Sequence, residues 1–222
     1  MSRKFVIGDI HGHYCEMMKL FNEVRFDYDQ DLLISLGDLV DRGPNPIEVI
    51  EDLRKIRNLI HVLGNHDDWC YQYLKYGIAA VEWTCQGGSE VVAAYNASPA
   101  LKDIHLSFFE ESRLFYIDED SRLFVHAGFD WKTPFVEQKE NKEILLWDRT
   151  LFAAASVYKR HGKRFNEFSE IFIGHTPTQV MRKSIPIHLS NLWMMDTGIC
   201  HGGKLTMMDI ETKKYWQCKC MS

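Results

Sequence analysis

Short apolar runs alternate with amphipathic stretches along the first third of the chain. Residues 4–8, 31–37 and 59–64 are rich in Val, Ile and Leu and end in glycine, as buried strands do. Between these runs the apolar residues recur at helical spacing, and Asn45-Pro46 offers a cap and a first-turn proline to the second predicted helix. The pattern predicts a β-α-β-α-β unit in which neighbouring strands are parallel.

The remainder of the chain is richer in predicted strands. Residues 67–76 and 101–111 have helical spacing, and the charged piece 137–143 is expected to be an exposed loop. Further apolar runs predict strands at residues 122–126, 171–174, 192–195, 205–209 and 214–217. Because no repeat and no clear linker interrupts the pattern, we expect one α/β domain over residues 1–222.

Composition and charge exclude several classes of protein. The 222 residues are 45% hydrophobic and 26% charged, as in a globular domain with a sizeable core. A net charge of -5 gives no basic surface for nucleic acid, so nucleic acid is not an expected partner. The first apolar run is too short and too polar for a signal peptide or a membrane span, which predicts a cytoplasmic protein without a membrane partner.

The six cysteines are expected to be reduced thiols in such a compartment. Cys218 and Cys220 flank a single lysine, but no second pair completes the spacing of a zinc site. They are interpreted as part of the tail, and their role is left open.

Each of the first three predicted strands is followed by a polar cluster. The clusters read Gly8-Asp9-Ile10-His11-Gly12, Gly37-Asp38-Leu39-Val40-Asp41-Arg42-Gly43 and Gly64-Asn65-His66-Asp67. Because parallel strands present their carboxyl ends at one edge of a sheet, these side chains are expected to gather there. A single Asp-x-His is more often a cap or a turn, but carboxylates brought together repel one another unless a cation lies between them. Three clusters in succession therefore favour a metal site.

Two histidines follow later apolar runs, His126 in Phe-Val-His-Ala-Gly and His175 in Phe-Ile-Gly-His-Thr. Either one alone is more often a buried histidine with a backbone partner. Together with the three clusters, they resemble the ordered motifs of the phosphoprotein phosphatase family of metallophosphoesterases: GDxHG, GDxVDRG, and GNH followed by Glu or Asp. The resemblance extends from Phe5 to about Asp209 and is closest to the compact phage-lambda and bacterial serine/threonine phosphatases. It implies a single calcineurin-like domain with a four-layer α/β/β/α sandwich.

The resemblance also implies a dinuclear metal centre at the carboxyl ends of the strands. Its expected ligands are Asp9 and His11 for the first ion, Asp38 for both ions, and Asn65, His126 and His175 for the second. All of them offer nitrogen or oxygen, which suits manganese, iron or zinc, and the bacterial and phage relatives favour manganese. Two ions about 3.5–4 Å apart can hold a hydroxide between them for direct attack on phosphorus, which makes a protein nucleophile unnecessary.

Further residues match positions that handle the substrate in this family. His66 matches the general acid and Asp41 its carboxylate partner, although Asp41 alone could be a turn residue. Arg42 and Arg149 match the arginines that bind the substrate phosphate, with Asn65 beside them, because a planar guanidinium can donate two bonds to phosphate oxygens. A helix-surface arginine is the alternative for Arg149.

Two glycine-containing segments complete the resemblance. Gln86-Gly87-Gly88, after Trp83, resembles the Asn-Gly-Gly of the family and is expected to shape a wall of the site. Asp196-Thr197-Gly198 matches a late family segment, and His201 beyond it either reaches the substrate or, more commonly for a loop histidine, is solvated. The other histidines match no family ligand and are expected to be structural: His13, His61, His105, His161 and His188.

Three functions fit these motifs. The first is a metal-dependent serine/threonine protein phosphatase, with dual specificity as a variant, whose partners are phosphorylated proteins or peptides. The second is a diadenosine-tetraphosphatase-like hydrolase of phosphoanhydrides, a group that shares the metal motifs but often carries Ala in place of Asp41. The third is an inactive metal-binding scaffold, for which His66 and Arg42 would have no chemical use. The complete set of residues, with Asp41 among them, favours the protein phosphatase.

Overall fold

Two five-stranded sheets lie face to face in the structure, a computed structural model that describes residues 2–220. The strands are β1 (Lys4–Ile7), β2 (Leu32–Ser35), β3 (Asn58–His61), β4 (Phe115–Ile117), β5 (Leu123–Val125), β6 (Ile171–Ile173), β7 (Ile187–Leu189), β8 (Leu192–Met194), β9 (Lys204–Asp209) and β10 (Tyr215–Lys219). The helices are α1 (Tyr14–Val24), α2 (Pro46–Leu53), α3 (Asn65–Tyr76), α4 (Val81–Trp83), α5 (Ser89–Ala97), α6 (Lys102–Glu110), α7 (Phe135–Gln138), α8 (Lys142–Trp147) and α9 (Leu151–Arg160). Within the described residues, no helix is both long enough and apolar enough to cross a lipid bilayer.

Each sheet is built around three parallel strands. The first sheet has the order β10-β9-β1-β2-β3, in which β1, β2 and β3 are parallel and β9 pairs antiparallel with both β1 and β10. The second has the order β4-β5-β6-β8-β7, in which β5, β6 and β8 are parallel and the two edge strands run the opposite way. The predicted β-α-β-α-β unit is confirmed, with α1 and α2 as its two connections.

Three clusters of buried apolar side chains separate the layers. One lies between the sheets and includes Val6 of the first sheet and Phe124 and Phe172 of the second. Another packs α1, α2, α3, α5 and α6 on the outer face of the first sheet, and the third packs α7, α8 and α9 on the outer face of the second. Because side chains alternate along a strand, Phe5 and Ile7 point to the helices while Val6 points to the other sheet. The predicted four-layer α/β/β/α sandwich is confirmed.

A row of aromatic rings crosses the second sheet, with one ring from each strand: Tyr116, Phe124, Phe172, Trp193 and His188. Successive ring centroids are 6.0, 4.9, 6.4 and 4.2 Å apart, and their planes are inclined by 30, 10, 11 and 11°. Each neighbouring pair also lies directly opposite in the strand register. Cross-strand aromatic pairs stabilise the pairing that they join, so this ring row fixes the register of the sheet.

Several observed elements differ from the predicted ones. Pro46 begins α2 as predicted, but the Asn45 side chain makes no capping hydrogen bond, and the Asn45 backbone N–H donates to the Gly12 carbonyl. The predicted loop 137–143 contains the end of α7 and the start of α8, because the buried Gln138 side chain donates to backbone carbonyls and orders the segment. The sequence did not predict α5, α9, β4 and β7, since very short strands and weakly amphipathic helices give little periodic signal.

Candidate metal centre

The predicted ligands meet at the edge where the parallel strands of both sheets end. They lie in the loops after β1 and β2, at the start of α3 after β3, and in the loops after β5 and β6: Asp9, His11, Asp38, Asn65, His126 and His175. Every one of these side chains is buried. The face-to-face packing of the sheets therefore brings together side chains that are far apart in the sequence.

The carboxylate of Asp38 lies in the middle of the group. Its Oδ2 atom lies 3.5 Å from Nε2 of His11, and its Oδ1 atom lies 3.5 Å from Nε2 of His126. Oδ1 also accepts a 3.0 Å hydrogen bond from the backbone N–H of His66, which fixes the direction of the carboxylate. The two oxygens thus face different histidines, as they would in a carboxylate shared by two metal ions.

The donor atoms form two sets that share Asp38. Those of Asp9, His11 and Asp38 lie within 4.8 Å of one another, and so do those of Asp38, His126 and His175. The motifs predict the same two groups with Asn65 added to the second, and this assignment of ligands to two ions stays a prediction.

Hydrogen bonds orient two of the histidines toward the centre. Nδ1 of His11 lies 2.8 Å from the Val40 carbonyl, and Nδ1 of His126 lies 2.6 Å from the Leu36 carbonyl. Burial lowers the pKa of both rings, to about 3 for His11, so each neutral ring donates from Nδ1 and presents the lone pair of Nε2. In His126 that lone pair faces Oδ1 of Asn65 at 2.9 Å. Two acceptors at this distance repel each other unless a donor or a cation lies beside them.

His175 adds a buried atom without a partner. Within residues 2–220, its Nε2 atom has no hydrogen bond, and burial lowers its pKa to about 2. A buried polar atom without a partner calls for an explanation. Metal binding is one explanation, because imidazole nitrogen is a common metal ligand. The unpaired nitrogen, the facing lone pairs and the shared carboxylate fit two divalent ions, while the individual ligand roles stay predictions.

Three buried carboxylates concentrate negative charge at the centre. Burial raises the pKa of Asp9 well above its ordinary value, and the charges of Asp196 and Asp38 add to the rise. Burial also raises the pKa of Asp196 to about 6, again with a contribution from Asp38. Burial opposes the ionisation of Asp38 too, but the neighbouring histidines, His126 foremost, bring its pKa below the ordinary value. Asp196, to which the motifs gave no chemical role, therefore belongs to the charge balance of the site.

Three hydrogen-bonded side chains lie beside the predicted ligands. Nδ1 of His66 is hydrogen-bonded to Oδ2 of Asp41, and the same oxygen accepts a 2.7 Å hydrogen bond from Nε1 of the buried Trp83. Burial raises the pKa of Asp41, whereas the bonds from His66 and Trp83 favour its ionised form. The structure thus brings the predicted acid and its partner together. The motifs named Trp83 only as a flanking residue, and the sole signal of its contact is that a buried indole N–H needs an acceptor.

Two arginines face a small cavity at the entrance of the site. Arg42 donates from Nη1 to Nε2 of His11 at 2.9 Å and from Nη2 to Nε2 of His66 at 2.8 Å. Arg149 lies between α8 and α9 rather than on a helix surface, and its Nη1 donates to the His175 carbonyl at 3.3 Å. The cavity has a volume of about 120 Å³ and is lined by Asp9, His11, Asp38, Arg42, Asn65, His66, Gln86, Trp147, Arg149, His175, Pro177, Asp196 and His201.

The backbone is left-handed at five of the predicted site residues. The φ angles are 46° at His11, 53° at Asp38, 71° at Asp41, 66° at Arg42 and 58° at His175. A residue with a Cβ atom adopts this conformation at a cost of about 1–2 kcal/mol, and such positions gather at functional sites. The turns that direct these side chains into the site are therefore maintained against local strain.

Aromatic side chains form part of the rim of the cavity. Trp69 lies edge to face with His66 at 5.2 Å and with Trp147 at 5.0 Å, and Trp147 lies edge to face with His175 at 6.0 Å. Trp147 is 40% exposed and offers a flat surface to a substrate. His201 also lines the cavity, although its side chain is exposed. No motif singled out the two tryptophans, because their meeting depends on the packing of α3 near α8.

The Gln86-Gly87-Gly88 turn packs against the segment that carries the acid partner and the first arginine. A Cβ atom at Gly87, where φ is +108°, would lie 2.8 Å from the backbone nitrogen of Arg42 and 3.2 Å from Cβ of Asp41. Only glycine permits this approach. Gln86 itself lines the cavity, so the turn forms the wall that was expected of it.

Known proteins resemble this chain in sequence. The profile of the calcineurin-like phosphoesterases matches residues 3–186. Serine/threonine-protein phosphatase 1 of Salmonella typhimurium (strain LT2) is 30% identical over 214 residues, which cover 93% of this chain and 91% of that protein. The asymmetrical bis(5'-nucleosyl)-tetraphosphatase PrpE of Bacillus cereus (strain Q1) is 28% identical over 225 residues, which cover 90% of this chain and 87% of that protein.

The fold is shared with a solved structure as well. A crystal structure of a proposed diadenosine tetraphosphatase has a TM-score of 0.73 and 18% identity, and the match covers 100% of this chain and 95% of that one. At this identity the likeness shows the fold, whereas the profile match over most of the chain shows the family. The chain belongs to the calcineurin-like phosphoesterase family of metal-dependent hydrolases, and the resemblance to the phosphoprotein phosphatases is confirmed.

Proposed function

We propose that this chain is a protein phosphatase that uses two divalent metal ions to hydrolyse phosphoserine and phosphothreonine. Manganese is the preferred metal, with iron and zinc as alternatives. The support is the hydrogen-bonded pair of His66 and Asp41, which suits the departure of a poor leaving group. A serine alkoxide is a far stronger base than a phosphate, whose second pKa is about 6, so an ester depends more on a proton donor than an anhydride does. The choice of substrate rests on this pair.

The proposed ligands divide between two ions. They would be Asp9 and His11 for one ion, Asn65, His126 and His175 for the other, and Asp38 for both. When bound, the ions would supply an activated water and offset the charge of the phosphoryl oxygens. The set contains nitrogen and oxygen but no thiolate, which is compatible with manganese.

Arg42 and Arg149 would bind the phosphoryl oxygens. In the structure the Arg42 guanidinium donates to Nε2 of His11 and to Nε2 of His66. A phosphate dianion in the cavity would draw the guanidinium away, because a charged acceptor binds it more strongly than a neutral imidazole does. This movement would leave Nε2 of His66 free to carry a proton.

His66 would give the proton on Nε2 to the departing serine or threonine oxygen. Asp41 accepts the hydrogen bond from Nδ1, which stabilises the protonated ring and holds its orientation, and Trp83 holds Asp41 in turn. The cavity of about 120 Å³ is smaller than ordinary ligand pockets of roughly 300–1,000 Å³. Only the phosphoryl group would therefore enter, and the peptide would lie across the rim.

A diadenosine-tetraphosphatase-like hydrolase is the second candidate, and one feature favours it. The exposed ring of Trp147, supported by Trp69, could stack on an adenine base. PrpE of Bacillus cereus, the 28% identical relative, is named for hydrolysis of such dinucleotides. In this candidate His66 would contribute little, because the departing nucleotide phosphate is already a good leaving group.

A comparison of kcat/KM on one manganese-loaded preparation tests this choice. The substrates would be a phosphoserine peptide, a phosphotyrosine peptide and diadenosine tetraphosphate. We expect the phosphoserine peptide to be preferred by about tenfold or more, which corresponds to 1.4 kcal/mol or more in transition-state stabilisation. A comparable preference for the dinucleotide would favour the second candidate. If no phosphoester or anhydride were hydrolysed with manganese, iron or zinc, the inactive scaffold would remain.

Removal of the metal ions provides the control for the mechanism. Exhaustive chelation should abolish the hydrolysis of every substrate, and added manganese should restore it. Activity that survived complete metal removal would contradict the dinuclear mechanism whichever substrate was preferred.

A further inference from the structure

A second group of metal-binding residue types lies where the last strand meets the first helix. His13 immediately precedes α1, Glu16 lies in its first turn, and Cys220 follows β10. A ring nitrogen, a carboxylate oxygen and the thiol sulfur from these residues lie within 4.8 Å of one another. His13 is 6% exposed and Glu16 is 5% exposed, so the group is largely withdrawn from solvent, with the half-buried Cys220 at its edge. None of the three is a predicted ligand of the dinuclear centre.

The imidazole of His13 points into this group. Its buried Nδ1 atom makes no hydrogen bond within the part of the chain that the structure describes. Oε2 of Glu16 lies 3.7 Å from it, which is beyond hydrogen-bonding distance. Two ligands of a tetrahedral zinc ion, each bonded at about 2.0–2.1 Å, lie roughly 3.4 Å apart. A shared ion would therefore need only a small movement of these two side chains.

We propose that His13, Glu16 and Cys220 form a third metal site, which prefers zinc or another thiophilic divalent ion. Thiolate sulfur selects such ions over manganese and magnesium, whereas the predicted ligands of the dinuclear centre include no sulfur. On binding, the Cys220 thiol releases its proton to solvent as the sulfur–metal bond forms, and a water completes the four ligands.

Such an ion would link the end of β10, at the edge of the first sheet, to the start of α1. β10 is the outermost strand of that sheet, and α1 directly follows the loop that carries Asp9 and His11. The site is therefore structural, and it would support this loop without contacting the substrate.

Cobalt spectroscopy tests the third site separately from the dinuclear centre. Cobalt(II) occupies zinc sites, and a cobalt–thiolate bond gives a near-ultraviolet charge-transfer band that nitrogen and oxygen ligands do not give. We expect this band in the cobalt-loaded full chain, and we expect added zinc to abolish the band by displacing the cobalt. The band should persist in Cys218→Ser, the matched control at the end of β10 and outside the group, and disappear in Cys220→Ser.

Metal content measured by mass spectrometry gives a second readout. After zinc loading and dialysis, Cys220→Ser should hold one equivalent less than the unchanged chain, and Cys218→Ser should hold the same amount. Absence of the charge-transfer band, or its survival in Cys220→Ser, would overturn the proposal. Because neither spectrum nor metal content depends on a substrate, the outcome is independent of the proposed function.

Discussion

His66 contacts a negative group on one side of its ring and a positive group on the other. Asp41 accepts the hydrogen bond from Nδ1, and the Arg42 guanidinium donates to Nε2. While Arg42 donates to Nε2, that nitrogen acts as an acceptor, so it could carry a proton only after Arg42 moves away. A bound phosphate that attracts Arg42 would free Nε2 of His66 to carry a proton. The proposed proton donor would therefore be competent only when substrate is present.

Replacement of His66 by Asn should lower kcat on a phosphoserine peptide by about 10²–10⁴, because the departing alkoxide loses its proton donor. The loss should be much smaller on para-nitrophenyl phosphate, whose leaving group needs little protonation. Steady-state kinetics on both substrates, with metal content determined in parallel, provide the measurement. Trp83→Phe removes the N–H donor to Asp41 together with part of a buried ring, and it should give the same pattern more weakly. Equal losses on the two substrates, with both metals retained, would argue against a proton donor.

Sequence motifs predicted the candidate ligands and the proposed catalytic residues better than the residues that contact them. The resemblance of the polar clusters to the family motifs implied the six candidate ligands together with His66 and Asp41, and the structure brings these side chains close to one another. Trp83, Trp147 and Asp196 act through contacts that no local pattern encodes. Trp83 donates to Asp41 from 42 positions further along the chain, a distance at which periodicity carries no information.

At the scale of elements, the two sheets differ in how well the sequence predicts them. β1, β2 and β3 alternate with amphipathic helices, so their parallel order follows from general rules of connection. The strands of the second sheet are three residues long, and β6 pairs with β8 rather than with the next strand in the chain. This order depends on packing between distant segments, which is why only some of these strands, and none of their pairings, could be predicted.

Replacement of Gly174 by Ala tests how closely the end of β6 must approach the first candidate ligand. A Cβ atom there would lie 2.2 Å from Oδ1 of Asp9, so the carboxylate would have to move. We expect metal affinity to fall by about 10–100-fold, as it does when the support of a ligand is lost, and activity to fall with it. Metal titration followed by mass spectrometry, together with kcat/KM, would measure both effects.

Gly77→Ala is the control for backbone strain without a clash. Its Cβ atom would meet nothing within 4 Å, but its φ of +72° is unfavourable for alanine. It should lower the free energy of unfolding by about 1 kcal/mol and leave metal affinity intact. Unchanged metal affinity in Gly174→Ala would show that Asp9 tolerates displacement and would weaken its assignment as a ligand.

At the scale of the whole molecule, the proposed metal ions would join the two sheets. Asp9 and Asp38 follow strands of the first sheet, and His126 and His175 follow strands of the second. Burial raises the pKa of Asp9, and the charges of Asp196 and Asp38 add to the rise, so these buried carboxylates oppose one another without bound cations. Metal binding should therefore contribute to global stability as well as to catalysis.

Chelation should lower the melting temperature, and manganese should restore it. An ion present at a hundredfold excess over its Kd stabilises the folded state by about 2.7 kcal/mol if it does not bind the unfolded chain. Thermal unfolding with manganese and with chelator measures the difference. Asp196→Asn removes one of the opposing carboxylates, so the metal-free form of this variant should lose less stability. Identical melting temperatures with and without manganese would contradict this account.

The outer layers and the rim come from two segments for which the sequence predicted little beyond a helix at residues 101–111. Residues 77–112 contain α4, α5 and α6, of which α5 and α6 cover the first sheet, and residues 129–165 contain α7, α8 and α9, which cover the second. Their apolar residues are mixed with polar ones at irregular spacing, so their position depends on the surface already formed by the sheets. The same segments supply Gln86, Trp147 and Arg149 to the cavity.

The ring row across the second sheet restricts how the molecule can deform. A slip of any one strand by a single residue would turn its ring to the opposite face and leave a gap between the neighbouring rings. The five strands should therefore move together as a rigid plate, which keeps a constant separation between His126 and His175 at its end. The connection between α8 and α9, which carries Arg149, lies outside that plate. Movements that accommodate larger or smaller substrates should therefore occur in this connection.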